Sequence, residues 1–96
     1  MPTYITLIHY TEQGVKTFKD QPNRLAEARK AFEAADGKLL SLYLTMGQYD
    51  AVAIGEAPYD ETAAKLALGI AGRGNIRTET MRAFTEDEAR GIAAGL

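Results

Sequence analysis

Four stretches of the chain combine β-branched or aromatic residues with the alternation that is typical of β-strands. The first covers residues 3–10 and the last covers residues 75–84. Between them, residues 38–45 and 49–57 form two apolar runs separated by a three-residue connection that contains Gly47. A short glycine-containing connection between two such runs predicts a hairpin. The pattern therefore predicts four strands, of which the second and third are joined directly.

Helical periodicity fills the stretches between the other strands. Apolar residues recur at three- and four-residue spacing over residues 25–35, after Pro22, which suits a first helical turn. Gly37 follows as a predicted helix end. A second helix is predicted over residues 58–71, where apolar spacing is again helical and glycines follow. A capping-box pattern predicts a short C-terminal helix over residues 85–96.

The order of these elements is β-α-β-β-α-β with a helical tail, and it limits the topology sharply. Two successive right-handed βαβ units place the strands in the spatial order 4-1-3-2. We therefore predict one ferredoxin-like α+β domain over residues 1–96. Its antiparallel sheet carries both main helices on one face.

The second and third strands lack a strongly polar face. An antiparallel sheet with one face in water alternates apolar and polar residues, whereas residues 39–44 and 51–55 are mostly apolar on both sides. Something must therefore cover the face that the helices leave open, and the simplest cover is another copy of the chain. We predict a homodimer with its sheets face to face, or a higher homo-oligomer built from it.

The composition of the chain argues against several classes of function. The 96 residues are 46% hydrophobic and 25% charged, with a formal net charge of −2, as in ordinary soluble domains. No stripe of Lys and Arg indicates nucleic-acid binding. The chain has no cysteine and one histidine, so we expect neither a metal site nor a bound cofactor. No apolar run reaches membrane-spanning length and no signal peptide is evident, so we expect a soluble cytoplasmic protein.

Three segments of the chain resemble the GYD-domain family. They are LYLTMGQYDAVAIGEAP at 42–58, NIRTETMRAFTEDE at 75–88 and YITLIHYTEQG at 4–14. Within the first segment, Gly47, Tyr49 and Asp50 match the signature that names the family. The resemblance implies a protomer similar to the dimeric α/β-barrel proteins, which pair sheet to sheet. It implies no particular activity, because relatives of that fold include monooxygenases, isomerases and modules that only bind or oligomerise.

The predicted topology gathers polar residues from separate segments at one edge of the sheet. The ends of the first two strands and the starts of the last two meet there, which brings together His9, Tyr10, Tyr49, Asp50 and Arg77. In a catalytic interpretation, His9 transfers a proton and Asp50 orients its ring, while Tyr10 or Tyr49 donates a hydrogen bond. Arg77 would then bind a substrate carboxylate or enolate.

A structural interpretation explains the same residues without catalysis. Asp50 beside a turn commonly accepts backbone N–H groups. A further set of hydroxyls along the strands would line the interior between two sheets and suit a small aromatic ligand; these residues are Thr6, Ser41, Tyr43, Thr78 and Thr80. Threonine and tyrosine are also simply good strand formers. Both interpretations stay open at the level of sequence.

Two functions follow from these alternatives. The first is a small-ligand-binding or assembly module whose ligand contacts are Tyr10, Tyr43, Tyr49 and Arg77. The second is a cofactor-independent isomerase or monooxygenase that uses His9 and Asp50 on a small aromatic or enolisable substrate. A third, less supported interpretation uses Pro2 as an N-terminal amine, as in the tautomerases, whose pattern the rest of the chain does not follow.

Overall fold

The computed structural model describes all 96 residues as one four-stranded sheet with four α-helices. The strands are β1 (Thr3–Tyr10), β2 (Lys38–Leu44), β3 (Ala51–Glu56) and β4 (Ile76–Ala83). The helices are α1 (Glu12–Lys16), α2 (Gln21–Ala34), α3 (Asp60–Ala71) and α4 (Glu86–Ala94), with a 3₁₀ turn at Phe18–Asp20. The strand order is β2-β3-β1-β4 and every pair is antiparallel. The predicted ferredoxin-like topology is confirmed.

The central strand β1 divides the sheet into two faces. It pairs with β3 on one side and with β4 on the other. Because side chains alternate along a strand, Thr6, Ile8 and Tyr10 face α2 and α3, with which they line a common cavity. Ile5 and Leu7 lie on the opposite side, which we call the open face. The residues paired with those two share that face; they are Val52, Ile54, Glu79 and Met81.

A β-bulge in β2 changes which residues of that strand face the helices. The register shifts between Leu39 and Ser41, so Leu40 is the extra residue. Leu39 and Leu42 then both face α2 and α3. In a regular strand, residues three positions apart would lie on opposite faces. Ser41 pairs with Ile54 and therefore lies on the open face.

The hydroxyl set expected along the strands is consequently divided between the two faces. Thr6, Thr78 and Thr80 line the cavity under the helices. Ser41 and Tyr43 lie on the open face, across from Ile54 and Val52. The prediction that all five line the interior between two sheets is wrong for Thr6, Thr78 and Thr80, because the alternation of β1 and β4 places them under the helices. The bulge in β2 places Ser41 and Tyr43 on the other face.

The hairpin connection is longer than the sequence predicted. The third strand begins at Ala51 instead of residue 49. The Thr45 amide donates to the Asp50 carbonyl oxygen at 2.8 Å, and the Thr45 hydroxyl donates to the Tyr49 carbonyl oxygen at 2.6 Å. Gly47 has a φ of 109°, which favours glycine. Tyr49 and Asp50 thus belong to the turn and not to the strand.

The end of α2 also differs in detail from the expectation. The residue with left-handed backbone is Asp36, whose φ is 61°. A Cβ at Gly37 would lie 2.4 Å from the Glu56 carbonyl oxygen. Gly37, the predicted helix end, is therefore needed for the close approach of the chain to the end of β3, while the left-handed residue after α2 is Asp36.

The C-terminal helix α4 begins with the predicted capping box. The Glu88 amide donates to the Thr85 hydroxyl at 3.2 Å, and the Thr85 amide donates to the Glu88 carboxylate at 2.8 Å. Backbone hydrogen bonding to that carboxylate lowers the pKa of Glu88. Every residue of α4 is exposed. None of the helices combines the length and apolar character that crossing a membrane requires.

We predict that a methyl group at Gly14 destabilises the fold. A Cβ there would lie 2.1 Å from the Asn75 carbonyl oxygen, which already accepts from the Thr11 amide at 3.0 Å. Gly14→Ala should lower the free energy of unfolding by about 1–3 kcal/mol, measured by urea titration followed by circular dichroism. Gly69→Ala is the matched control, since its Cβ meets nothing within 4 Å. This control should gain about 0.5–1 kcal/mol from helix propensity. Equal stabilities for the two variants would contradict the close approach at Gly14.

Candidate functional site

Polar residues gather at the edge of the sheet where β1 and β2 end and β3 and β4 begin. His9 lies directly across from Arg77 in the β1–β4 ladder. The Tyr10 amide donates to the Asp50 carboxylate at 2.9 Å. The alternation of β1 nevertheless sends the two neighbouring side chains in opposite directions, with Tyr10 under the helices and His9 on the open face.

The open face carries a small polar cluster formed by His9, Tyr49, Arg77 and Glu79. The rings of His9 and Tyr49 are stacked at a tilt, with centroids 4.9 Å apart. The Tyr49 hydroxyl donates to the Glu79 carboxylate at 2.9 Å, and this hydrogen bond raises the pKa of the phenol. We call these four residues the open-face cluster. It forms a polar margin beside the apolar centre of the face.

Glu79 is a member of this cluster that sequence reasoning missed. It lies two positions after Arg77 in β4, so both side chains occupy the same face. That spacing was visible in the sequence. The hydrogen bond from Tyr49 was not, because it depends on the turn that follows β2.

Asp50 is held by the backbone of β1. Its carboxylate accepts from the Tyr10 amide at 2.9 Å, and its own amide donates to the Ile8 carbonyl oxygen at 2.9 Å. These two bonds extend the β1–β3 pairing by one residue before the formal start of β3 at Ala51. No hydrogen bond or ion pair joins Asp50 to His9, so the structure does not bring the two together as a dyad. A catalytic role for His9 and Asp50 stays a prediction without that contact.

The helix side of the same edge carries Tyr10, Gln21 and Arg24. The Tyr10 hydroxyl oxygen accepts a hydrogen bond from the side-chain amide nitrogen of Gln21 at 3.2 Å. Burial raises the pKa of the Tyr10 phenol. The ring of Phe18 meets that of Tyr10 edge to face, at 5.4 Å between centroids. We call these three polar residues the helix-side cluster. Gln21 and Arg24 belong to the first turn of α2, which sequence reasoning treated only as the start of a helix.

A cavity of about 110 Å³ lies between the sheet and the two main helices. Its lining is mostly apolar and includes Ile8, Leu25, Leu66 and Ile70, while the helix-side cluster also contributes to it. An apolar cavity with a few polar groups at one end is the usual form of a small-molecule site.

The remaining candidate residue, Tyr43, lies apart from both clusters. It is paired across from Val52 on the open face, and its side chain is 59% exposed. No group of three His, Cys, Asp or Glu side chains is placed to share a metal ion. The predicted ligand contacts are thus divided, with Tyr10 at the cavity and the other three on the open face.

Comparison with known proteins places these features in a family. The family model of the GYD domain matches residues 4–93. A Thermus thermophilus protein described as a glutamine synthetase and cystathionine beta-lyase binding protein is 34% identical over 85 residues. That match covers 88% of this chain and 90% of the relative.

Solved structures share the fold. A crystal structure of a protein from Thermus thermophilus is 25% identical with a TM-score of 0.54, covering 88% of this chain and 95% of that one. A feast or famine regulatory protein from M. tuberculosis, complexed with L-methionine, is 16% identical with a TM-score of 0.67. The match covers 88% of this chain and 51% of that protein, and at this identity it shows the fold alone.

We predict that Asp50 acts through its acceptor oxygen. Asp50→Ala leaves the part-buried Tyr10 amide without its partner and should cost about 1–3 kcal/mol in the free energy of unfolding. Asp50→Asn keeps an acceptor oxygen and should lose less than half as much. Glu33→Ala is the control, because Glu33 is exposed on α2, and it should change stability by less than about 0.5 kcal/mol. Urea unfolding of the three variants is the measurement. Equal losses for Asp50→Asn and Asp50→Ala would show instead that the charge is what matters.

Proposed function

The chain belongs to the GYD-domain family, and from this premise we propose that it is a homo-oligomeric binding module whose subunits pair through the open faces of their sheets. The observation that carries the proposal is the apolar centre of the open face. The residues at that centre are Ile5, Leu7, Val52 and Ile54. The two main helices, α2 and α3, lie on the other side of the sheet, and these four side chains are only half-buried within the chain.

The composition of this face supports pairing. Four strands about 4.8 Å apart and about six residues long cover roughly 400 Å². Apolar side chains occupy the centre of that area, and His9, Arg77 and Glu79 lie at one margin, as in interfaces with an apolar centre and a polar rim. Met81 and Tyr43, which are 45% and 59% exposed, extend the patch toward both edge strands. Two such faces stacked about 10 Å apart would form a shared interior between the sheets.

The Thermus thermophilus relative supports a role in binding other proteins. Its description gives glutamine synthetase and cystathionine beta-lyase as what it binds, and its similarity to this chain runs over nearly the whole length of both. We therefore extend the proposal to this chain: the assembled module binds an enzyme of amino-acid metabolism. A dimer presents each binding surface twice, which strengthens binding to an oligomeric enzyme through avidity.

The enzymatic alternative has less support from the geometry. A histidine that acts as a general base is typically oriented by a hydrogen-bonded partner. The Asp50 carboxylate accepts from the Tyr10 amide, while His9 rests against Tyr49 on the open face. In the proposed dimer that face is an interface between subunits, so His9 would lie at its margin and contribute to assembly.

We predict that a charge at the centre of the open face abolishes assembly. Val52→Lys places an unpaired ammonium among Leu7 and Tyr43, and burying it between two sheets is strongly unfavourable. Light scattering after size exclusion at micromolar concentration should give at least twice the 10.4 kDa protomer mass for the wild type and one protomer mass for the variant. Leu68→Lys is the control, because Leu68 is 74% exposed on α3, and it should keep the wild-type mass. A monomeric wild type would overturn the proposed pairing.

Enzyme binding is testable with purified partners. Glutamine synthetase and cystathionine beta-lyase from the same organism should shift the fluorescence anisotropy of the labelled wild-type protein. Val52→Lys should bind at least about tenfold more weakly, because only the dimer offers two surfaces at once, whereas Leu68→Lys should bind as the wild type does. Absence of binding to both enzymes, with the dimer intact, would leave assembly standing and remove the proposed partners.

A further inference from the structure

We propose that the cavity between the sheet and the two main helices binds a small monocarboxylate with a short apolar tail, and that Arg24 is the residue that binds the carboxylate. This site goes beyond the proposed assembly. It is lined by residues of a single chain and lies on the side of the sheet opposite to the open face. Its occupant is therefore independent of whether the subunits pair.

The charge at the cavity comes from Arg24. Its guanidinium donates only to neutral oxygens, the Thr17 hydroxyl at 2.7 Å, the Gly14 carbonyl at 3.3 Å and the Gln21 side chain at 3.4 Å. No carboxylate lies within 4.0 Å of it. A half-buried guanidinium with no acidic partner favours an anionic ligand, and its planar donors suit a carboxylate.

Arg73, the second arginine of the lining, differs from Arg24 in having an acidic partner. Arg73 lies 2.7 Å from the Glu27 carboxylate, which neutralises it. Arg24 is thus the cation of the lining whose charge no acid balances. The positive end of the α2 dipole, at whose first turn Arg24 lies, acts in the same direction.

Tyr10 supplies a hydrogen-bond donor for the carboxylate. Its hydroxyl oxygen accepts from Gln21, and its own hydrogen has no acceptor in the chain. A phenol keeps its hydrogen at neutral pH, and burial, which raises the pKa of Tyr10, acts in the same direction. A carboxylate next to Arg24 would accept from the Tyr10 hydroxyl.

The same groups disfavour a free amino acid. An α-ammonium group is stabilised by an acidic partner, and the lining of the cavity contains no Asp or Glu. The ammonium would instead be brought close to the Arg24 guanidinium. The site therefore selects simple carboxylic acids over their 2-amino counterparts.

Volume limits the tail of the ligand. The cavity of about 110 Å³ is somewhat smaller than the roughly 150 Å³ cavity that holds benzene in a protein interior. A tail of roughly three to five carbons fits this space. Leu25, Leu66 and Ile70 supply the apolar surface against which it would lie.

Three matched probes test the proposal on the wild-type protein by calorimetric titration. They are 4-methylpentanoate, 4-methylpentan-1-ol and leucine, which share a branched tail but differ in carboxylate and ammonium groups. The acid should bind at least about tenfold more tightly than the other two, a difference typical of one charge-assisted contact. Its amide chemical-shift changes should centre on α2, α3 and the helix-facing side of β1. Any one of three results would overturn the proposal: equal binding of the three probes, no binding of the acid at millimolar concentration, or chemical-shift changes confined to the open face.

Variants at Arg24 test its role. Arg24→Gln should weaken 4-methylpentanoate binding at least about tenfold and leave the alcohol unchanged, while Arg24→Lys should restore part of the affinity. Arg90→Gln on α4 is the control and should bind as the wild type does. Thermal unfolding of each variant distinguishes loss of binding from loss of the fold. If Arg24→Gln does not fold, the proposal is still tested by Arg24→Lys and by the three probes on the wild-type protein. Val52→Lys should bind the acid normally, which separates this site from the proposed assembly.

Discussion

The pairing of β1 with both of its neighbours is the constraint on which the rest of the molecule depends. β1 forms ladders with β3 and β4, and the carboxylate and amide of Asp50 extend the first ladder to the last residue of the strand. This pairing fixes the register, and a one-residue slip would exchange the two faces of the whole strand. The residues under the helices, the apolar centre of the open face and both polar clusters all follow from that register.

The two faces give the domain two surfaces of different chemistry. On the helix side, an apolar cavity ends at Tyr10, Gln21 and Arg24. On the open side, an apolar patch ends at His9 and its cluster. Tyr10 and His9, which are adjacent in β1, supply the polar ends of the two surfaces. The sheet therefore lies between the two surfaces and separates them. The proposed assembly and the proposed ligand site can thus operate without sharing a side chain.

Asp50 illustrates how a conspicuous carboxylate is used structurally. The turn that precedes it is built around Gly47 and closed by hydrogen bonds from Thr45. The chain then needs an acceptor for the Tyr10 amide, because β3 proper begins only at Ala51. The Asp50 carboxylate fills that position. A polar residue of the family signature therefore acts first in holding strands together, and the turn brings Tyr49 against His9 as a consequence.

The sequence by itself determined the four strands, the two main helices and the C-terminal helix in their order, the sheet order and the edge at which the polar residues meet; it did not predict α1 (Glu12–Lys16). These rest on local periodicity, turn residues and the handedness of βαβ units, all of which short stretches of chain encode. The tertiary structure decided the rest. The bulge at Leu40 reversed the facing of Ser41 and Tyr43, and the longer turn moved Asp50 to the Tyr10 amide. The cavity beside Arg24 arose only where two helices met the sheet. Each of these depends on contacts between residues distant in sequence, and no local pattern of residues specifies them.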